Sequence, residues 1–425
     1  MTLSRRSFLR TAAASVSVGG VTYFLPPFPQ SRGEDKPKPS EQIRIASIGV
    51  GNQGTGNTKI HAKNVVAVCE VDDARLAEAV KLIEKSAKTP FATTDYRKIL
   101  DRKDVDAVVI TTPDHWHAMM CVDACNAGKD VYCEKPLTLT IAEGRAIANA
   151  AAKNKRILQT GSQQRSDERF RRACEYVRSG RLGTIKEVRV GIPGPNWIDR
   201  AKKPAADSQP PAGLNYDMWI GPAPMRPFNQ NRVHYLFRFF WDYSGGQVTN
   251  FGAHHLDITQ WALGMDASGP TTIEGTATYH KDKWFETPEK CSITYTYANG
   301  AKVVCANGEK GGCTFIGTKG TIFVDRGKIT ATPEDILKEE LKDTDTHLYV
   351  SKSHHGNWLD CIKSRKAPIC DAEIGHRSAT VCHLGNIAIR TGRKLTWDPV
   401  KEEIVGDKEA AAMASRSYRE PWKLT

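Results

Sequence analysis

Between residues 43 and 161 short β-rich runs alternate with helical patterns, and this alternation leaves few folds open. The β-rich runs fall at 43–48, 65–69, 107–111, 131–133 and 157–160. Between them lie helical patterns at 73–88, with Leu76, Ala79, Val80 and Ile83 on one stripe, at 117–127, and at 140–154, where Thr140 and Glu143 form a capping box. Parallel strands need a helical crossover, so the pattern predicts an α/β, doubly wound parallel sheet of the Rossmann type. The first run ends in Gly49-Val50-Gly51-Asn52-Gln53-Gly54. Gly49 suits the tight turn, Gly51 the close approach of a pyrophosphate, and Gly54 the packing of a helix whose N-terminus attracts negative charge. Glu70 closes the second run about 20 residues on, where an acid holds ribose hydroxyls and repels a 2′-phosphate. NAD is therefore expected ahead of NADP.

A chain of 425 residues is too long for one ordinary core and suits two. After a basic helix at 167–179 the pattern changes: runs at 184–190, 272–280, 292–297, 302–306 and 321–324 read as strands, and Asn299-Gly300 marks a hairpin turn. Helices are expected at 252–263, 353–363 and 373–391, and a Pro/Gly-rich excursion occupies 192–227. The second domain is thus expected to be α+β, with a large, mostly antiparallel sheet. The boundaries predicted are a signal segment at 1–32, a linker at 33–40, a Rossmann domain at 41–162 and a substrate-binding domain at 163–425.

Arg5-Arg6-Ser7-Phe8-Leu9, followed by a short apolar run, resembles a twin-arginine signal and is too short for a membrane span. A periplasmic or otherwise exported protein, delivered by the twin-arginine export machinery, is expected. Residues 1–32 carry four arginines and no acid, so their removal lowers the formal charge from +12 to +8. The remaining excess is scattered, and no nucleic-acid motif accompanies it. The eleven cysteines form no Cys-x-x-Cys pair and sit mostly in apolar runs, which reads as buried thiols and no metal site. Twin-arginine export carries folded proteins, so folding in the reducing cytosol needs no disulfides.

In a doubly wound sheet, ligands meet the ends of the strands. Thr112, Pro113 and His117 lie where the third run ends, and Glu134 and Lys135 where the fourth does. A lysine there can relay a proton, because desolvation readily lowers an ammonium pKa. His254 opens a helix after the Gly245-Gly246 loop and has the unperturbed pKa of a neutral-pH base. Tyr235, Arg238, Trp241 and Tyr243 precede that loop as candidate sugar contacts, whereas His354-His355 reads as packing.

Taken in order, the glycine fingerprint, Glu70, Thr112-Pro113-Asp114-His115-Trp116-His117, Glu134-Lys135-Pro136, the stretch from Gly245 to Asp257, and Phe315-Ile316-Gly317 resemble the Gfo/Idh/MocA family over nearly everything after residue 40. Trp219-Ile220-Gly221-Pro222 and the tail from Arg416 to Trp422 resemble its exported branch. The resemblance implies that Lys135 touches the reacting hydroxyl and the nicotinamide ribose, beside Glu134 and with a cis bond before Pro136. It implies that Gln163 and Arg165, in Gly161-Ser162-Gln163-Gln164-Arg165, contact cofactor or substrate. It maps the family's Asp-x-x-x-His pair onto Asn250 and His254, so the aspartate is replaced and support for His254 falls to Lys135, His255 or Asp257. The function implied is hydride transfer between tightly held NAD and a secondary hydroxyl of a sugar, polyol or glycoside, in a homo-oligomer. Redox-assisted glycoside cleavage and non-catalytic sugar or nucleotide sensing are the alternatives.

Overall fold

The computed structural model describes residues 42–201 and 203–425 and, before them, only the short strands β1 (Ser15–Val18) and β2 (Val21–Phe24), which pair antiparallel with each other. The Arg5-Arg6 segment and the 33–40 linker lie outside the described residues.

The first half is built from β3 (Ile45–Ile48), α1 (Gln53–Ile60), β4 (Val65–Cys69), α2 (Asp73–Glu84), β5 (Phe91–Thr93), α3 (Arg97–Leu100), β6 (Ala107–Ile110), α4 (Asp114–Asn126), β7 (Asp130–Cys133), α5 (Ile141–Lys153) and β8 (Leu158–Thr160). Its six strands pair in parallel in the order β5-β4-β3-β6-β7-β8. Covered on both faces, β3, β6 and β7 are buried at every position, as continuous apolar runs require. The order reverses about β3, and that switch point opens a crevice at the carboxyl ends of the strands. The Thr140 capping box is formed, with both reciprocal bonds to Glu143.

The second half comprises α6 (Glu168–Arg178), β9 (Ile185–Ile192), α7 (Trp197–Ala201), α8 (Tyr216–Ile220), α9 (Gly246–Asn250), α10 (Gly252–Leu263), β10 (Thr272–Thr278), β11 (Lys290–Thr296), β12 (Lys302–Asn307), β13 (Gly312–Gly317), β14 (Thr321–Asp325), β15 (Lys328–Thr332), α11 (His354–Ser364), α12 (Ala372–Thr391), β16 (Leu395–Asp398), β17 (Glu403–Val405) and α13 (Lys408–Ala412). Nine strands form one sheet, β15-β14-β13-β9-β12-β11-β10-β16-β17, antiparallel except where β12 runs parallel to β9. Alternating residues such as Cys291, Ile293 and Tyr295 of β11 turn inward, and Ile258, Trp261, Leu384 and Ile387 of α10 and α12 share that core. At the β11–β12 hairpin Gly300 takes φ +84, a conformation that favours glycine, and donates its N–H to Tyr297.

The chain does not stay on one side of residue 163. Trp358, Cys361 and Ile362 of α11 join the core under β3 and β4, and Arg365 pairs with Asp130. At the C-terminus Arg416 and Tyr418 both bond Glu143, and Trp422 packs edge-on against Trp116 with ring centroids 4.9 Å apart.

The excursion after β9 is also ordered. Trp197, Trp219, Phe237, Phe239, Phe240, Tyr243 and Phe285 give it a small aromatic core. It docks on the end of β4, where Leu214 bridges Asp72, Asn215 N–H reaches Val71 O at 2.9 Å and Asp73 N–H reaches Gly213 O at 2.9 Å.

Candidate active site

At the switch point a cleft of about 560 Å³ runs from the glycine loop, past the ends of β6 and β7, to the start of α10. Gly49, Gly51, Asn52, Gln53, Glu70, Thr112, Pro113, Glu134, Lys135, Gln163, Arg238, Asn250 and His254 all line it, so most of the sequence-derived candidates converge.

At the nucleotide end the glycines are there for space. A Cβ on Gly54 would sit 2.0 Å from Gly49 O of the backbone, which cannot yield, whereas one on Gly51 would meet only the movable end of Arg75. Asn52 makes no side-chain cap to α1 and the first turn holds no acid; Gly54 N–H is already given to Gly51 O at 2.8 Å, so the positive end of the helix, more than a full set of free N–H groups, is what faces an anion. The Glu70 carboxylate accepts from Val50 N–H at 3.0 Å and Val71 N–H at 2.8 Å, which fixes it beside the loop, while burial pushes its pKa up. These features fit a dinucleotide, with Gly51 and the start of α1 holding the pyrophosphate and Glu70 the ribose.

At the other end Lys135, just before the cis Lys135–Pro136 bond, points its ammonium at Asn250, donating to O and to Oδ1 at 3.1 Å each. Two of its three donors are thereby used and one remains. Asn250 is held in turn through Nδ2, which donates to Gln247 Oε1 at 3.0 Å. Burial pushes the Lys135 pKa down, and Arg238 and Arg326 push the same way, against the opposing charges of Glu134 and Asp114. His254 is held well below the usual histidine range, by burial first and then by Lys135 and Arg326, and its Nδ1 is buried without a partner. A neutral imidazole thus faces a cleft that also holds a lysine with a spare donor. Glu134 does not bond Lys135: its Oε1 accepts from Asn57 Nδ2 at 3.0 Å and Gln163 Nε2 at 3.1 Å, which ties β7, α1 and the loop after β8 together.

Other candidates are placed elsewhere. His117 lies behind the wall, its ring nitrogens 2.8 and 2.9 Å from the carbonyls of Pro136 and Thr112, bracing the two loops. Arg165 and Asp257 are buried against each other, with Asp266 as a second acid for Arg165 and Ser378 donating to Asp257, so neither is offered to a substrate. His255 turns to the sheet, where Nδ1 sits 3.1 Å from Gly191 O, so neither it nor Asp257 supports His254. Tyr235 is outside the cleft, its ring flanked by Arg200 and Arg238. Trp241 stacks under Arg390, and Tyr243 is core. His354 and His355 pack around Tyr132.

Several lining residues have no local sequence signal. Arg326 arrives from the β14–β15 turn and His234 from the segment between α8 and α9. Asp114 was legible as part of the strand-end motif: its carboxylate lines the cleft and accepts from Ser244 Oγ.

Comparison with known proteins gives two family matches: the NAD-binding Rossmann-fold model of the Gfo/Idh/MocA oxidoreductase family over residues 43–162, and its C-terminal alpha/beta domain model over residues 170–424. A glycosyl hydrolase family 109 protein of Shewanella pealeana is 32% identical over 179 residues, 37% of this chain and 38% of that protein. An inositol 2-dehydrogenase of Salmonella typhimurium is 32% identical over 147 residues, 33% of this chain and 43% of that protein. Both matches thus span less than half of the relative. Among solved structures, the WlbA dehydrogenase of Bordetella pertussis, in complex with NADH and UDP-GlcNAcA, superposes with a TM-score of 0.63 at 17% identity, over 84% of this chain and 99% of that one. It shares the fold.

Proposed function

The chain belongs to the Gfo/Idh/MocA oxidoreductase family, and from that premise we propose that it oxidises a secondary hydroxyl of a sugar, polyol or glycoside with NAD, or in reverse reduces the corresponding ketone with NADH. The observation that carries this reading is the placing of Lys135, Asn250 and His254 in one cleft with the glycine loop and Glu70. Neutral His254 takes the proton of the hydroxyl, and the spare N–H of Lys135 steadies the oxygen as charge develops on it. A nicotinamide cofactor, when bound, supplies the hydride acceptor, so that the alcohol becomes a ketone. Asn250 fixes the ammonium, and Trp219 and Phe237 supply apolar surface to the same cleft.

Glu70 supports NAD over NADP, since a 2′-phosphate would meet its carboxylate, although Arg75 nearby offsets part of that charge. Glu70→Ser is expected to narrow the gap between the two affinities, and equal affinity in the unmodified protein contradicts this choice. For an exported protein we favour a nucleotide held through turnover and recharged by a second substrate. The bridge from the excursion to β4 is consistent with such retention. Export itself rests on Arg5-Arg6 and on eleven cysteines that are all buried and unpaired. Replacing both arginines with lysine should leave folded protein in the cytosol.

The glycosidase-named relative favours one second reading, in which transient oxidation at one carbon acidifies its neighbour and the glycosidic bond is cleaved without net redox change. Purified protein should be assayed for copurifying nucleotide by mass and near-ultraviolet absorbance, then incubated with sugars, polyols and glycosides. Nicotinamide reduction selects the first reading, and released aglycone with unchanged nicotinamide the second. Bound nucleotide without turnover on any of them leaves a sensing protein.

A further inference from the structure

We propose that the substrate is an anionic sugar, whose carboxylate or phosphate is seated between Arg238 and Arg326 next to the hydroxyl that Lys135 and His254 handle. This rests on the reading of the cleft as a sugar oxidoreductase site and names the class of sugar it takes.

Three cations line the reacting end of the cleft: Lys135, Arg238 and Arg326. None of them forms an ion pair with a carboxylate among the described residues. The Lys135 ammonium is held by two neutral oxygens of Asn250. Arg238 gives one hydrogen bond, from Nη1 to Tyr235 O at 2.9 Å, and its guanidinium otherwise lies between the rings of Tyr235 and Phe237 at 4.5 and 4.6 Å. Arg326 is exposed at the mouth, 5.8 Å from the centroid of Phe251. Other buried or half-buried arginines of the fold do have acids: Arg145 has Glu373 and Glu402, Arg165 has two aspartates, and Arg226 has Asp242 and Glu286, although Arg390, like Arg238, lies on an aromatic ring without one among the described residues.

The acids that face these cations are committed to other donors. Asp114 accepts from Ser244, Glu134 from Asn57 and Gln163, and Asp167, further along the wall, pairs with Arg169. Three cations against Asp114 and Glu134 leave the reacting end short of one negative charge. Burial pushes the Arg238 and Lys135 pKa values down, so both cations sit in surroundings that an incoming anion would relieve. A planar guanidinium with free donors matches a carboxylate or phosphate in two-point fashion. The cofactor's pyrophosphate does not account for them, because its cradle is at Gly51 and α1, beside Arg75. Arg238 instead shares the ends of β6 and β7 with Asp114 and Glu134.

The test uses the full chain loaded with NADH and follows quenching of nicotinamide fluorescence by matched pairs: glucuronate with glucose, galacturonate with galactose, gluconate with glucitol, and glucose 6-phosphate with glucose. At least one anion should bind about tenfold or more tightly than its neutral partner, as one charge-assisted hydrogen-bond pair provides. Arg238→Gln should cut that ratio about tenfold while NADH affinity falls less. Arg326→Gln, at an exposed site where folding is not at stake, should cut the ratio too. Whether carboxylates or phosphates respond identifies the anion. Equal binding within every pair, no binding by any anion, or a ratio unmoved in both variants overturns the proposal. Turnover is scored separately. Arginine-dependent anion binding without nicotinamide chemistry removes the dehydrogenase reading alone, and turnover of neutral sugars indifferent to both arginines removes this proposal alone.

Discussion

At Asn250 the side chain offers Lys135 an amide oxygen at 3.1 Å where a carboxylate would bring a full charge, and the difference should be readable in a pH profile. His254 is held far below the usual range by burial and by Lys135 and Arg326, so it is neutral across the physiological range and the acid limb of kcat/KM should lie below about pH 6.5. Asn250→Asp adds a negative charge beside the ring and should move that limb upward. His254→Ala should lower the rate about 100- to 10,000-fold with nucleotide binding retained, and an unchanged rate places the base elsewhere. At Arg165 the issue is stability. Its guanidinium is fully buried against Asp257 and Asp266, and burying an acid without its partner is costly. Arg165→Ala should therefore cost about 3–5 kcal/mol in denaturant unfolding, against under 1 kcal/mol for an exposed pair such as Lys338–Asp335. Sequence context suggested a ligand contact for Arg165 because it cannot show which acid a buried arginine will meet.

Among the elements, α8 and the turn that ends it hold the excursion against the cleft wall. Gly221 there has φ +51, and a Cβ would lie 2.0 Å from the Trp116 ring. Gly221→Ala combines a conformation that L-residues rarely adopt with overpacking, each costing roughly 1–3 kcal/mol. A lowered Tm together with weakened NADH binding is expected, because Trp116 lines the cleft. The Rossmann elements were legible in the sequence because they are local: β3, β4, β6, β7 and β8 are short apolar runs, α5 carries its own capping box, and the glycine loop follows its strand directly. What escaped were Phe91–Thr93, Gly312–Gly317, Lys328–Thr332, Leu395–Asp398 and Glu403–Val405, short or glycine-bounded runs whose own pattern is weak and which are held by pairing with the strands beside them. The site divides the same way. Lys135 and His254 stood in recognisable motifs, whereas His255, one residue on and turned about 100° around α10, faces the sheet. Arg326 and His234 enter the cleft through tertiary approach, which no spacing announces.

For the molecule as a whole, buried histidines set the response to acid. Burial lowers His61, His354, His355 and His383 to about 4. Their unfolded value is near 6.5, so between those limits the unfolded chain binds protons that the folded one refuses, and stability falls as pH drops. Each histidine contributes about 1.4 kcal/mol per pH unit in that window. Thermal melts from pH 7 to 4 should show a steep, continuous fall in Tm, and a flat profile contradicts these assignments. One last consequence follows from the backbone bridge between Leu214 and Asp72, which ties the excursion to the loop after β4, where Glu70 stands. Under the retention proposed above, turnover follows a fixed order: with the dinucleotide kept in place, the first product has to depart before the second reactant enters. Initial rates measured with each reactant varied at several fixed levels of the other should then give parallel double-reciprocal lines, and intersecting lines mean that the dinucleotide exchanges with solution in every cycle.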